Sequence, residues 1–487
     1  MNILVGTAEV VPFAKTGGLA DVVASLCTEW AKSGHRPIIV IPKYNCIDIN
    51  KYNFKPTFLT LIVPMGYWTE YATLWRGYLP NTDVETYLIE NNSYFARDGI
   101  YGEGTEYSDN ARRFIFFSRA IFETSKALNF KPDILYANDY HTAFTMPFLK
   151  THYRQDNLFS KTAGVFTIHN LKYQGIYEPE DTMEFSSFGM KNFYPGSWFE
   201  YYGKTNYMQV GIKFADKITT VSPTYAKEIR TAYYGEGLHN VLNSRSVDLI
   251  GVLNGVDYNN WSPEVDKLIS PNYSKNTLEK KKEIKYKLLI DNGIKDNLDI
   301  PLFGMVSRLT EQKGIDLIIN KLEDFLWNER MRFVIIGTGE IKYQNYFNYI
   351  KYKYPNLSIV YIEYNEQLSH RIYAASDFLL IPSRFEPCGL TQMYAMRYGT
   401  LPIVRATGGL VDTVNEFIPD TKKGTGIVFW NYNADDFAYA LERALQLYKS
   451  TELMNTARIN AMEADFSASN SANKYIEIFN WALEKVR

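Results

Sequence analysis

The chain has 487 residues, more than one ordinary hydrophobic core accommodates, so its length favours two domains. Apolar residues at 46% and charged residues at 22% match a soluble globular protein, and a net charge of −2 supplies no basic footprint for nucleic acid or anionic lipid. The three cysteines, Cys27, Cys46 and Cys388, are far apart and odd in number, which argues against a disulfide framework and a four-ligand zinc site and fits a reducing cytosol.

The N-terminal MNILVGTAE reads as a strand rather than a charged leader, and no apolar run comes near the roughly 18 residues of a membrane span. RPIIVIP, DILYAND, AGVFTIHN and KITTVS follow, each ending in small or polar residues with helical patterns between them. That rhythm predicts a parallel sheet. A stretch rich in Asn, Asp, Gly and Pro, Val252 to Pro271, places a boundary near Asn254, and the charged SKNTLEKKKEIKYKLL predicts a surface helix beyond it. The strand rhythm then restarts with IPLFGMVSRLT, RFVIIGTGE, LSIVYIEY, FLLIPSRFEP, LPIVRAT and GIVF. Two doubly wound halves are predicted rather than one barrel. The final DFSASNSANKYIEIFNWALEKVR predicts an amphipathic helix with Tyr475, Ile478, Phe479 and Leu483 on one face, able to pack back across the domain junction.

In open parallel sheets ligands sit at the carboxyl ends of strands, so motifs there weigh most. The first strand runs into AKTGGLADV, where Lys15 and the pair Gly17 and Gly18 open a helix with bare amides that an anion can approach, Asp21 following one turn on. His169 and Asn170 follow one strand, and Asp139 and His141 another, both loops expected to open on one cleft. His141 is expected to be a structural hydrogen-bonding residue. SRLTEQKG carries Arg308 and Lys313 between strand and helix, two cations and a glycine that suit a diphosphate. A single G-x-G in IIGTGE predicts a tight turn and little else. In SRFEPCGLTQ, Glu386 is expected where helix amides begin, which would help keep it ionised and able to accept hydrogen bonds from sugar hydroxyls. The Cys388 side chain is expected to pack as a small, partly buried group. Thr407 to Gly409 form a second Thr-Gly-Gly helix start.

Taken in order, KTGGLADV, IHN, VLNGVD, SRLTEQKG, SRFEPCGLTQMYAM and VRATGGLVDTV resemble the bacterial glycogen synthases and the related plant starch synthases, from about residue 1 to the C-terminal helix. The KTGGL form, rather than the KVGGL of some starch synthase classes, fits the bacterial type. The resemblance implies an α/β protein of GT-B fold, two Rossmann-like doubly wound domains facing a central cleft. Residues 1–250 would form the acceptor-side domain with the KTGGL loop, 251–465 the nucleotide-sugar donor domain, and 466–487 a helix crossing back. It implies a cytoplasmic hexosyltransferase that moves glucose from ADP-glucose to the non-reducing end of an α-1,4-glucan, glycogen or starch, with retention. No metal, cofactor, nucleic acid or membrane partner is expected.

Carried over residue by residue, the resemblance places Lys15, Gly18, Arg308 and Lys313 on the donor, the three cations on its diphosphate. It places Glu386 against the glucose 3- and 4-hydroxyls, with Cys388, Gly389, Leu390 and Thr391 binding nearby, and His169 beside the reacting sugar next to Asn170. Asp139 falls on the acceptor side, Tyr364 on the nucleotide base and Asn254 at a hinge-side contact to the donor. The choice between ADP-glucose and UDP-glucose stays open, as does oligomeric state. Two other readings remain: a glucan phosphorylase, which needs a pyridoxal-linked lysine, and a non-catalytic glucan-binding scaffold.

Overall fold

Near-continuous apolar runs such as RPIIVIP form strands covered on both faces, and Ile38 to Ile41 are almost wholly buried. A computed structural model describes residues 1–328 and 330–486. The chain divides into two compact units, Met1–Gly255 together with the stretch from Ala468 onward, and Val256–Ser467.

The first unit is built on a nine-stranded sheet. Its strands are β1 (Asn2–Gly6), β2 (Arg36–Pro42), β3 (Lys55–Met65), β4 (Trp68–Tyr78), β5 (Glu85–Glu90), β6 (Ile134–Asn138), β7 (Ala163–Ile168), β8 (Lys217–Thr220) and β9 (Leu249–Gly251). Their order is β9-β8-β7-β6-β1-β2-β5-β4-β3. β1 pairs in parallel with β2 on one side and with β6 on the other, so the direction of winding reverses between β1 and β6. A ligand crevice is expected at such a reversal, outside the carboxyl ends of the strands.

The sheet is not wholly parallel, contrary to the sequence expectation. β4 runs antiparallel to both β3 and β5, and β3 and β4 form a long hairpin. Burial along β3 alternates, the pattern of a strand with one face in water, and that lets the hairpin extend an otherwise covered sheet.

On the helical side Trp30, in α1 (Gly18–Lys32), is fully buried against the C-terminal helix Ala468–Glu484. Its indole donates to the Ala472 carbonyl at 3.2 Å, and its ring lies 5.1 Å from Phe479 and 5.9 Å from Tyr475.

The second unit holds a six-stranded parallel sheet. It comprises β10 (Leu302–Val306), β11 (Arg332–Ile336), β12 (Ser358–Tyr361), β13 (Phe378–Ile381), β14 (Leu401–Arg405) and β15 (Ile427–Phe429). The order is β12-β11-β10-β13-β14-β15, with the reversal between β10 and β13. At the amino ends of the strands, opposite the expected crevice, Asp377 accepts from Lys285 at 2.7 Å, from Arg458 at 2.5 Å and from the Leu302 amide at 2.8 Å. Against the cost of burial, the Lys285 and Arg458 charges hold the Asp377 carboxyl below its usual range.

The chain passes between the units twice, after Gly255 and before Ala468. The segments flanking these passages are bonded together in each unit. The Val256 amide donates to the Phe466 carbonyl at 2.8 Å, and the Ser471 hydroxyl to the Leu253 carbonyl at 2.5 Å.

Candidate active site

In the first unit the loops after β1, β6 and β7 lie side by side at the reversal. The loop after β1 is organised by Glu9, a buried residue that the sequence reading did not single out. Its carboxylate accepts from the Thr16 amide at 2.5 Å, the Thr16 hydroxyl at 2.6 Å and the Gly17 amide at 3.0 Å, and from the Tyr101 hydroxyl. The expectation of bare amides at this helix start is therefore corrected in part: a carboxylate of the protein already takes those of Thr16 and Gly17, while the helix itself begins at Gly18. Lys15 pairs with Asp21 at 2.9 Å, and Gly18 begins α1.

After β6, Asp139 adopts φ +55°, rare for a residue with a side chain, and turns its carboxylate onto the next loop. It accepts from the His169 amide at 2.8 Å and from the Asn170 amide. Burial pushes its carboxyl up to about 7, over the opposing effect of those amides, and the nearby Glu9 charge adds to the rise.

The His169 ring meets Asn138, whose Nδ2 donates to the Gly6 carbonyl at 3.0 Å and whose Oδ1 lies 2.9 Å from His169 Nε2. That arrangement assigns the ring proton to Nε2 and leaves the Nδ1 lone pair available. Burial lowers the His169 pKa to about 3, so the ring is neutral at pH 7. Asn170 lies beside it, its side-chain oxygen accepting from the Lys172 amide at 3.1 Å.

His141 corrects another expectation. Both its ring nitrogens are buried without a hydrogen-bond partner among the described residues. Its ring is stacked on Tyr101 at 4.4 Å and meets the edge of Phe114 at 4.8 Å. Aromatic packing holds it. Asn254, also in this unit, is buried with its side-chain oxygen unpartnered among the described residues.

In the second unit the loops after β10 and β13 meet at the reversal and are joined by backbone. The Arg384 amide donates to the Gln312 carbonyl at 2.8 Å, and the Gln312 amide side chain to the Phe385 carbonyl at 3.3 Å. This brings Lys313 Nζ to 2.6 Å from Glu386 Oε2, with the Ser383 hydroxyl on the same oxygen at 2.9 Å.

The partners of Glu386 thus differ from those expected. The following helix begins at Thr391, and among the described residues the Glu386 Oε2 atom sits on an ammonium and a hydroxyl. The Cys388 side chain is buried, while Gly389, Leu390 and Thr391 are partly accessible. The Thr407–Gly409 turn presses against this loop, the Gly409 amide donating to the Glu386 carbonyl at 3.1 Å. A Cβ on Gly408 would stand 2.0 Å from the Glu386 carbonyl oxygen, and one on Gly409 2.3 Å from that of Cys388, so neither position accommodates a side chain.

The structure gathers Glu386, Lys313 and Cys388 to Thr391 in one unit, and Asp139, His169 and Asn170 in the other. Arg308, in the loop after β10, is exposed and without an ion pair among the described residues. Tyr364 lies two strands from β10, after β12, and is 74% exposed. Glu9, Asn138, Tyr101 and Ser383 were missed. Ser383 stood inside a motif already singled out, and Glu9 follows the first strand in TAE. No sequence signal links Tyr101 to either.

Residues 2–244 match the family described as starch synthase catalytic domain, and residues 290–461 the glycosyl transferases group 1. The chain is 41% identical to the glycogen synthase of Thermosipho melanesiensis, over 100% of both chains. The chain belongs to the glycogen synthase family. A glycogen synthase 1 of Geobacter sulfurreducens is 42% identical over 100% of this chain and 97% of its own. The solved catalytic domain of starch synthase IV from Arabidopsis thaliana, bound to ADP and acarbose, is 34% identical with a TM-score of 0.92 over 99% of each chain. Sucrose-phosphate synthase from Thermosynechococcus elongatus, 15% identical with a TM-score of 0.59 over 98% of each chain, shares the fold alone. These likenesses place this member of the family among glycosyltransferases of the GT-B fold. Among the described residues no helix is long and apolar enough to cross a membrane.

Proposed function

We propose that this protein is a cytoplasmic glucosyltransferase that moves glucose from ADP-glucose to the non-reducing end of an α-1,4-glucan with retention of configuration. The observation that carries the reading is the Glu386–Lys313–Ser383 cluster at the winding reversal of the second unit, in a chain that matches glycogen synthases end to end. The ADP on the solved Arabidopsis relative supports an adenine donor.

In this reading Lys15, Arg308 and Lys313 offset the negative charge that develops on the departing diphosphate. Glu386 accepts from the glucose 3- and 4-hydroxyls, and the backbone of Cys388, Gly389 and Leu390, with Thr391, completes the sugar pocket. Tyr364 stacks on the base, while Gly18 and Asn254 contact the donor. The neutral His169 ring offers an acceptor beside the reacting sugar, with Asn170 adjacent and Asp139 towards the glucan. Because Glu386 serves hydroxyls, the reaction runs by front-face attack. The anomeric C–O bond breaks with its electron pair leaving on the diphosphate, the glucan 4-oxygen bonds on the same face, and its proton passes to the departing phosphate oxygen. The unit Met1–Gly255 takes the acceptor role and Val256–Ser467 the donor role.

The test incubates the protein with glycogen and either ADP-glucose or UDP-glucose, following nucleoside diphosphate release and α-1,4 chain growth together. Both signals with ADP-glucose are expected. Glycogen binding without nucleotide release would sink the reading, and a glucosyl ester trapped on Glu386 by rapid quench would overturn front-face attack.

A further inference from the structure

In the second unit, a concavity of about 250 Å³ lies between the segment Lys267 to Ser270, helix α2 (Glu279–Asp291) and the start of helix α3 (Glu366–Ala375). Three cations from three segments, Lys267, Lys287 and Arg371, line it together with Ser270 and Gln367, over an apolar floor that includes Ile284. No carboxylate is part of the lining.

Two acids close in sequence to these lining residues already have partners. Asp266 turns inward to accept from His370 at 2.8 Å and Tyr398 at 2.5 Å, and Asp291 bonds one N–H of Arg371 at 2.6 Å. A guanidinium has five N–H donors, so Arg371 keeps others for a ligand. Lys267 and Lys287 are exposed and carry no ion pair among the described residues. Positive charge from three segments, with both lysines free of ion pairs among the described residues, converges on a concave, partly apolar surface and concentrates anions there.

We propose that this concavity binds a small phosphate-bearing anion. A phosphate monoester carries about −1.5 to −2 charge at neutral pH and three acceptor oxygens. The two ammoniums meet that charge as point donors and Arg371 as a fork, with Ser270 and Gln367 supplying neutral donors. The apolar floor takes the carbon skeleton of an ester. None of these residues belongs to the Glu386 cluster, so the site stands independently of the sugar-transfer reading.

Isothermal titration with inorganic phosphate and with glucose 1-phosphate, at constant ionic strength in chloride, tests this in the full-length protein. Three proteins are compared: wild type, Lys267→Ala/Lys287→Ala and Lys313→Ala. Saturable binding is expected in wild type and in Lys313→Ala, and at least about tenfold weaker in the double variant. Equal affinity for the two probes identifies free phosphate as sufficient, and tighter ester binding shows that the floor contributes; either supports the site. Binding that is absent in wild type, unchanged in the double variant, or lost only in Lys313→Ala overturns it. Both lysines are solvent-exposed, and an unchanged melting temperature of the double variant verifies that its fold is intact.

Discussion

Glu386 and Lys313 stand 2.6 Å apart with little exposure of either side chain, so each is the other's main compensation for leaving water. Removing one strands the other. Glu386→Ala and Lys313→Ala are expected to lower turnover by roughly 10²–10³-fold or more in steady-state assays while circular dichroism stays native. Ser383→Ala, which removes a neutral donor from the same oxygen, should cost about 1 kcal/mol and a correspondingly smaller loss of rate.

Asp139 gives a prediction in pH. Its carboxyl is raised from 3.8 in the unfolded chain to about 7 in the fold, so its share of stability is intact below pH 3.8 and is lost as pH rises through 7. Asp139→Asn should therefore raise the melting temperature at pH 8, reflecting roughly 4 kcal/mol at most, with the difference fading towards pH 4. A gain confined to acid pH would contradict the assigned burial. The identities of these residues are legible in the sequence because they sit at strand ends in long motifs. Their partners are not: that Glu9 holds the Lys15 loop and Asn138 sets the His169 tautomer depends on which strands become neighbours.

At the scale of elements, the turn Thr407–Gly409 is as much a part of the site as the loop it presses on. Gly408 combines φ +47° with a would-be Cβ contact of 2.0 Å to backbone that cannot yield cheaply. Gly408→Ala should displace the Glu386 loop, lowering both turnover and stability, the latter by roughly 1–3 kcal/mol in urea titration. Gly17→Ala is the contrast: it has φ −150° and nothing within 4 Å of a would-be Cβ, and the melting temperature should hardly move. The parallel strands are readable because burial on both faces writes them as apolar runs. The β3–β4 hairpin escapes that reading because its strands are half wet, and residues such as Ile62 and Tyr71 remain exposed on its outer face.

For the molecule as a whole, the Asp377 cluster fixes the amino end of the second unit's sheet and the Trp30 packing seats the last helix on the first unit. Trp30→Ala should cost the first unit roughly 3–5 kcal/mol, seen as an earlier denaturant transition for that unit alone. The amphipathic face of the last helix is plain in its sequence. Its seat on α1 is a tertiary fact, carried by Trp30, Tyr475 and Phe479.

Because the first unit is completed only by residues from Ala468 onward, the order of synthesis and the order of folding must differ in this protein. While the ribosome is still working, the second unit has all of its own sequence before the first has its closing helix, the reverse of the usual N-terminal-first sequence of domain folding. Until the residues from Ala468 onward have emerged, the apolar surface around Trp30 waits uncovered, a state in which a nascent chain calls for chaperone protection.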